Sequence, residues 1–416
     1  MAGNAQILVW ALGVAITVSA CAPRAVLRQG PAAGDRVVCL GDSITDGCTY
    51  PQIIVQALRE AGRRAPTVVC AGVASDTAAQ MAARLEKTVL VFQPTLVTFS
   101  AGSNDSLRGV SAAEYEKALR EICARVKMQS AEGKRQSAKG REPTGMILLT
   151  PCIISPGKGA DAAAKAKVEA AEKLVAQYAA VIRRVAADEG YPVAENNALM
   201  RAAREAGKEV MSDDGVHPNY LGQSLMARAI LDAMGRRDVP LPREFRPALF
   251  PGVVREWKMR LAPLDAQKKP ERVTEATVSQ LAPDSSWKTY TLPDPPPPSK
   301  PSAEDWWEQE RRNGFGLKVH EVVGKGLVQA VAAVECAEPR SAFINTGIGI
   351  STVWLNGTKL HEQGTAWTGF HAGKERLRVN LRRGRNVIVI EIDGPQFFLS
   401  VTDKLVWEED IQFEGE

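Results

Sequence analysis

The chain has 416 residues, enough for about two domains at the usual ~100–200 residues each. With 45% hydrophobic and 24% charged residues it has the composition of an ordinary soluble protein able to bury a core. Its 52 basic and 48 acidic residues leave a net charge of +4, too balanced to point to a nucleic-acid partner.

In chain order, the first feature is an apolar N-terminal stretch. Ile7 to Ala20 is uncharged but shorter than a typical membrane span of ~20 residues. It ends in Val18-Ser19-Ala20-Cys21, small residues before a cysteine, and resembles a bacterial lipoprotein signal. Residues 1–33 are therefore expected to be an export segment, with Cys21 as the lipid-anchor point and a periplasmic or membrane-anchored destination. The n-region, Met1 to Gln6, carries no Lys or Arg, and the alternative is an uncleaved apolar tail.

Residues 34–238 read as one α/β domain. Strands are predicted at Val37–Leu40, Thr67–Cys70, Leu96–Phe99, Met146–Thr150 and, more weakly patterned, Tyr191–Ala194. Between them Tyr115, Leu119, Ile122 and Val126 fall on one helical face, with Ser111 and Glu114 at capping-box spacing. Val168, Ala171, Val175, Tyr178, Ile182 and Val185 form a second stripe. Short continuous apolar strands separated by amphipathic helices indicate a parallel sheet covered on both faces. A basic stretch, Lys134-Arg135 to Lys139-Gly140-Arg141, reads as a solvated loop.

Residues 239–416 change character. A proline-rich connection runs over 240–300 and ends in Pro293-Asp294-Pro295-Pro296-Pro297-Pro298, semi-rigid by composition. Beyond it a smaller all-β sandwich is expected, with its core over about 303–404. Asn356-Gly357 between Thr352–Leu355 and Thr358–Leu360 is a hairpin signal. Asn356-Gly357-Thr358 also fits a glycosylation sequon, which the hairpin explains without a sugar.

Seven cysteines do not force a disulfide framework on a chain of this length. Cys39, Cys70 and Cys152 lie in apolar runs, where a free thiol behaves as a small hydrophobe. Cys48 stands close to Ser43, either lining a site or buried for structure. No CxxC pair or His/Cys cluster points to a structural zinc.

Three strings hold chemistry. Gly41-Asp42-Ser43 follows the first strand, Gly102-Ser103-Asn104-Asp105 the third, and Asp214-Gly215-Val216-His217 supplies the first of four histidines. Ser43 reads as a nucleophile, with a helix N-cap as its plain alternative. His217 reads as its base and Asp214 as the carboxylate that orients the imidazole, with Asp213 as the competitor. Asn104 can donate its amide to an oxyanion or simply satisfy a turn. Gly72, past the second strand, can offer a backbone N–H or serve as a turn glycine. Ligands in such sheets bind beyond the carboxyl ends of the strands, and Ser43 and Asn104 both lie just past such ends.

Together these residues resemble the SGNH/GDSL hydrolase family over roughly residues 35–236, with blocks at Gly41-Asp42-Ser43, Gly72, Gly102-x-Asn104-Asp105 and Asp214-x-x-His217. The second block lacks the more usual Asn-x-Gly-x-Ser. The resemblance implies a flavodoxin-like three-layer α/β fold and ester hydrolysis through an acyl-serine. By position it assigns Ser43, Asp214 and His217 to catalysis and Ser43, Gly72 and Asn104 to an oxyanion hole; no metal or organic cofactor is implied. The C-terminal part resembles a galactose-binding-like β-sandwich, carried by Val353 to Gly357 and Leu381 to Val387. There Trp306, Trp307, Trp354 and Trp367 are candidates either to stack on sugars or to fill the core. The expected protein is an exported serine esterase that removes acetyl or other short acyl groups from carbohydrate, its substrate a small ester or an acylated polysaccharide, with the C-terminal part a candidate for carbohydrate binding. A lipid- or thioester-acting lipase and a non-catalytic carbohydrate-binding surface protein are the alternatives.

Overall fold

Strand and helix alternate through the first half of the computed structural model, which describes residues 36–63, 65–136, 144–246, 249, 252–292, 317–347, 349–362 and 375–403. Strands β1 (Arg36–Gly41), β2 (Thr67–Gly72), β3 (Leu96–Ser100), β4 (Gly145–Leu149) and β5 (Val193–Ala194) form one parallel sheet. Their order is β2-β1-β3-β4-β5, the flavodoxin-like order of the expectation. The connecting helices are α1 (Ser43–Asp46), α2 (Thr49–Glu60), α3 (Ala78–Thr88), α4 (Ser103–Leu107), α5 (Ala112–Gln136), α6 (Ala162–Glu189), α7 (Asn196–Glu205) and α8 (Tyr220–Ala233).

Side chains alternate across each strand, so a continuous apolar run feeds two cores. Val38 and Leu40 of β1 join Met81, Leu119, Ile122 and Ile182 from α3, α5 and α6. Val37 and Cys39 join Ile53, Ile54, Met226 and Ile230 from α2 and α8 on the opposite face. This is why the strands lack polar alternation: both faces are covered. Ser111 and Glu114 close the expected capping box before α5, with Ser111 N–H donating to Glu114 Oε2 at 3.0 Å and Glu114 N–H to Ser111 Oγ at 3.2 Å. The basic stretch departs from expectation at its start, since Lys134 and Arg135 continue α5 instead of opening a loop.

The second half is antiparallel. Strands β6 (Glu256–Leu261), β7 (Lys288–Thr291), β8 (Leu317–Lys318), β9 (Val328–Cys336), β10 (Arg340–Thr346), β11 (Ile350–Leu355), β12 (Thr358–Glu362), β13 (Glu375–Leu381), β14 (Gly384–Ile392), β15 (Gln396–Phe397) and β16 (Leu399–Thr402) follow one another. They build a six-stranded sheet, β12-β11-β14-β9-β6-β7, a three-stranded sheet, β13-β10-β16, and the pair β15-β8. Ile344, Val379 and Leu399 of the smaller sheet share a core with Met259, Ala330, Val353 and Ile390 of the larger.

Two expectations for this half need correction. The stretch 240–300 is not only a connection: β6 and β7 lie inside it and belong to the larger sheet, β6 pairing with β9 through Lys258–Leu261. Trp257 and Met259 point inward and Lys258 and Arg260 remain partly exposed, the alternation of a half-buried strand. Trp354 is fully buried among Val273, Val278, Trp287, Val331 and Val389, and its ring is not free to stack on a sugar. The Asn356-Gly357 turn has both residues at positive φ, 51° and 86°, as a two-residue hairpin loop requires. Asn356 Nδ2 donates to Asn386 Oδ1 at 3.0 Å while its Oδ1 accepts from Val387 N–H, so the sequon amide is consumed by the hairpin.

The halves touch. Val254 N–H donates to Leu399 O and Val401 N–H to Gly252 O, strapping the chain leaving the α/β half to β16. Phe398, between β15 and β16, is fully buried in the cluster formed by α3, α5 and the parallel sheet. The expected export segment 1–33 with Cys21, Lys139 to Arg141, Pro293 to Pro298, Trp306, Trp307 and Trp367 lie outside the described residues. Among the described residues no helix is long and apolar enough to cross a membrane.

Candidate active site

β1 and β3 are neighbours in the sheet, so the turns leaving their carboxyl ends stand side by side. Ser43 opens α1 directly past β1, where Asp42 caps the turn by accepting from Ile44 N–H at 3.0 Å. The turn packs hard onto the strand ends beneath it. A Cβ at Gly41 would lie 2.0 Å from Thr45 Oγ1, and one at Gly72 would lie 2.2 Å from Asp46 N. Buried Cys48 and Cys70 form a disulfide that ties the residue before α2 to β2. Cys70, expected as a free thiol, is instead paired: β2 lies directly beneath the turn that carries Ser43, and that adjacency makes the pair. Cys39 and Cys152 are free and buried as expected, although Cys152 lies in the loop after β4 and not in a strand.

His217 reaches Ser43 from the loop before α8. Its Nε2 stands 2.7 Å from Ser43 Oγ and its Nδ1 2.7 Å from Asp214 Oδ2. Asp214 Oδ1 accepts from the N–H groups of Val216 and His217 at 2.8 and 2.9 Å, which fixes the carboxylate plane. Burial pushes the Asp214 carboxyl up, but the hydrogen bond and charge of His217 and the two backbone donors outweigh it and hold the group at about 2. It is therefore an anion at neutral pH. Asp213, the competitor, turns outward to Lys158 Nζ at 3.4 Å and is more than four-fifths exposed. The imidazole faces Asp214 alone of the two.

The loop is held by a neighbour that sequence reading did not identify. Ser155 N–H donates to Gly215 O at 2.8 Å and Lys158 N–H to Asp213 O at 2.7 Å, so the segment after β4 runs along the 213–215 backbone. Gly215 has φ +73°, and a Cβ there would lie 2.0 Å from Ser155 O. Glycine is needed at that position on both counts. Ser212 N–H to His217 O and the Met211–Pro218 bridge close the loop at its base.

Asn104 lies in α4, past β3. Its Nδ2 donates to Asp76 O at 3.1 Å, with Asp42 Oδ2 at 3.4 Å, so the amide sits between the turns leaving β1 and β2. Gly72 is placed otherwise than expected. Val73 N–H donates to Gly41 O, so on the alternating ladder Gly72 N–H faces the outer edge of β2, the edge strand of the sheet. Its service is steric, letting Asp46 and Asp42 close onto the strand end. The left-handed residue past β2 is Ser75, φ 69°, in a turn closed by Asp76 N–H to Val73 O.

Beneath these turns lies a set of buried carboxyls. Burial pushes Asp42 and Asp105 up to about 6, in each case against backbone hydrogen bonds that lower them. Asp46 and Asp76 are also raised by burial, with the Arg84 charge opposing. Among the described residues no group of three or more His, Cys, Asp or Glu side chains is arranged to hold a metal ion. A hydroxyl hydrogen-bonded to an imidazole that is itself oriented by a carboxylate is equipped for nucleophilic attack and proton transfer.

Residues 39–225 match the model of a family described as the GDSL-like Lipase/Acylhydrolase family. Thioesterase 1/protease 1/lysophospholipase L1 of Escherichia coli (strain K12) is 34% identical over 107 residues, 24% of this chain and 50% of that protein. The chain thus spans about half the length of that relative. An acetylxylan esterase of Geobacillus stearothermophilus is 26% identical over 239 residues, 49% of this chain and 94% of its own. Among solved structures, the alpha/beta hydrolase LAE5 from the metagenome of Lake Arreo, Spain, is 28% identical with a TM-score of 0.39, covering 50% of this chain and 97% of its own. The acetylxylan esterase Axe2 of Geobacillus stearothermophilus is 23% identical with a TM-score of 0.39, over 49% and 95%.

Proposed function

Taking residues 39–225 as a GDSL/SGNH hydrolase domain, we propose that this protein is a serine esterase that removes acetyl or other short acyl groups from carbohydrate. One observation carries the reading: the unbroken chain from Ser43 Oγ through His217 to Asp214, with 2.7 Å at each step. Ser43 Oγ attacks the ester carbonyl as its proton passes to His217 Nε2. Asp214, anionic, keeps the Nδ1–H tautomer and stabilises the imidazolium that forms. The Ser43 N–H and the Asn104 amide receive the negative charge on the carbonyl oxygen, the amide using the hydrogen that makes the long 3.4 Å contact to Asp42 while the other stays on Asp76 O. Collapse expels the alcohol, which takes the proton from His217, and leaves an acyl-serine. Water then attacks that acyl group with His217 again as base, releasing the acid and restoring Ser43 Oγ–H.

Carbohydrate as the alcohol is supported by the acetylxylan esterase relative, which aligns over nearly its whole length. A thioester- or lysolipid-directed activity is the second reading, favoured by the higher identity to the Escherichia coli protein over half its length. Export, with Cys21 as the lipid anchor, is part of the same proposal and is supported by the Cys48–Cys70 disulfide, a bond that persists in oxidising compartments. The C-terminal sheets are proposed to be a galactose-binding-like sandwich that holds acylated polysaccharide, by residues other than the buried Trp354.

The test is a screen of the purified protein on p-nitrophenyl esters of graded chain length, acetylated xylan and an acyl-CoA thioester. The Ser43→Ala variant serves as the blank. Fastest turnover of the acetate ester with acetate release from xylan is expected. Preference for long chains or for the thioester would move the assignment to the second reading, and no turnover above the blank would overturn both.

A further inference from the structure

The nucleophile turn, the turn past β2 and the Asn104 amide leave three different strands, yet one side chain outside the triad ties them together. Arg84, on α3, directs Nε to Asp76 Oδ2 at 2.6 Å and Nη2 to Gly41 O at 2.9 Å. Its Nη1 donates to Thr88 Oγ1 at 2.8 Å, which holds the guanidinium from behind. Gly41 is the last residue of β1, two before Ser43. Asp76 is the residue whose carbonyl accepts from Asn104 Nδ2. A single planar fork thus spans from the end of the nucleophile strand to the support of the oxyanion donor. Both members of the Arg84–Asp76 pair are largely buried, their side chains 15% and 10% exposed. In that setting a guanidinium cannot be exchanged for water without loss, and its fixed donor geometry sets distances that a flexible ammonium does not.

We propose that Arg84 is a positioning residue for the ester hydrolysis: it sets the end of β1 relative to the Val73–Asp76 turn, and through Asp76 it places the Asn104 amide against the nucleophile. The catalytic part of this inference rests on the esterase reading above. The mechanical part, that Arg84 immobilises residues 41–46 and 73–77, does not. Arg84 belongs to a helix face that sequence periodicity marks only as polar. Its partners, a carbonyl at a strand end and an aspartate in a turn, have no spacing signature.

Three variants of the full chain test it: Arg84→Lys, Arg84→Met and the double variant Arg84→Met/Asp76→Asn. The double variant removes both charges of the pair, so it folds even where the single Met substitution, which strands a buried carboxylate, does not. Two readouts are taken, p-nitrophenyl acetate kinetics and amide hydrogen exchange of peptides covering 41–47 and 73–78, with a β14 peptide as reference. The double variant is expected to lose about 30- to 100-fold in kcat with KM within about threefold, because a misplacement of ~1 Å costs that much in turnover while Arg84 itself does not reach the substrate. Exchange in both turns is expected to speed up at least about fivefold relative to the reference, and Arg84→Lys to recover part of both effects by keeping the charge. Unchanged exchange in the two turns overturns the proposal whatever the kinetics do, and so does a loss seen in KM with kcat kept. A wild-type protein that hydrolyses no ester would remove the esterase reading, and the exchange measurement would still decide the role of Arg84.

Discussion

The two halves of the chain both bury polar side chains, and they spend them differently. In the C-terminal sheets such groups close on one another. Asn386, fully buried, accepts from Asn356 Nδ2 and Arg382 N–H and donates to Arg382 O and Gly384 O. Asn345 Nδ2 bridges Ser400 and Thr402 across strands, and Glu391 accepts from Val273 N–H. These bonds fix turns and register. In the α/β half the buried carboxyls gather under one rim: Asp42 accepts from Ile44 N–H and Asn104 Nδ2, Asp105 from Ala78 N–H and Asp76 from Arg84, around the turn that carries the partly open Ser43. Burial of polar groups is thus no mark of function by itself; what distinguishes the two halves is whether the hydrogen bonds fix strand register and hairpins or hold several turns together at one rim.

Substitution can break that contrast most sharply at the rim. Ser43→Ala and His217→Ala should each lower p-nitrophenyl acetate turnover by at least about a thousandfold, and the double variant should be scarcely worse, because the pair acts as one unit. The melting temperature should barely move, and additive kinetic losses would detach His217 from Ser43. Asp214→Asn should lower kcat about 10²- to 10⁴-fold through the wrong imidazole tautomer, with Asp213→Asn within about twofold of wild type. The reverse ranking in steady-state kinetics would exchange their roles. Gly215→Ala should cost about 10²-fold in kcat, since its Cβ collides with Ser155 O and shifts the His217 loop. Crystals of that variant should show the displacement.

Asn386→Ala sharpens the other side of the comparison. It should destabilise the protein by about 2–4 kcal/mol by leaving buried partners unpaired, and leave kcat on the acetate ester within about twofold. A comparable fall in turnover would mean that the sheets help to shape the active site. The smallest effect is on pH. Asp42 and Asp105 titrate near 6 in the fold but at ~3.9 unfolded, so the folded state binds the extra protons. Their contribution to stability is present in acid and is lost as pH rises through about 6. Asp214 has the opposite sign, its contribution being lost only as pH falls towards 2. Melting temperature should therefore be a few degrees higher at pH 5 than at pH 7.5, and Asp105→Asn should reduce the difference.

Much of this was legible in the sequence wherever a polar residue interrupts an apolar pattern. Ser43, Asn104 and the Asp214–His217 loop each stand just outside an apolar run or a helix start, and the α/β alternation fixed the strand-end geography that brings them together. Gly72 misled because a glycine past a strand serves backbone approach by a neighbouring turn as readily as it offers an N–H. The Cys48–Cys70 pairing and the Arg84 fork are contacts between elements, and nothing in local spacing encodes them. β6 was hidden by its setting: Trp257 and Met259 alternate with charged residues, but prolines on either side gave the stretch the look of a linker.

Phe398 bears on how separable the two halves are. An aromatic ring from the C-terminal part completes a core that is otherwise built by the parallel sheet and its helices. Cutting the chain after Gly235 would leave a ring-sized hole there, and vacating a buried Phe costs ~3–5 kcal/mol. The C-terminal region is then no exchangeable accessory. Replacing it with an unrelated module would require a new plug at the same spot, and on heating the two halves should melt together in one calorimetric transition.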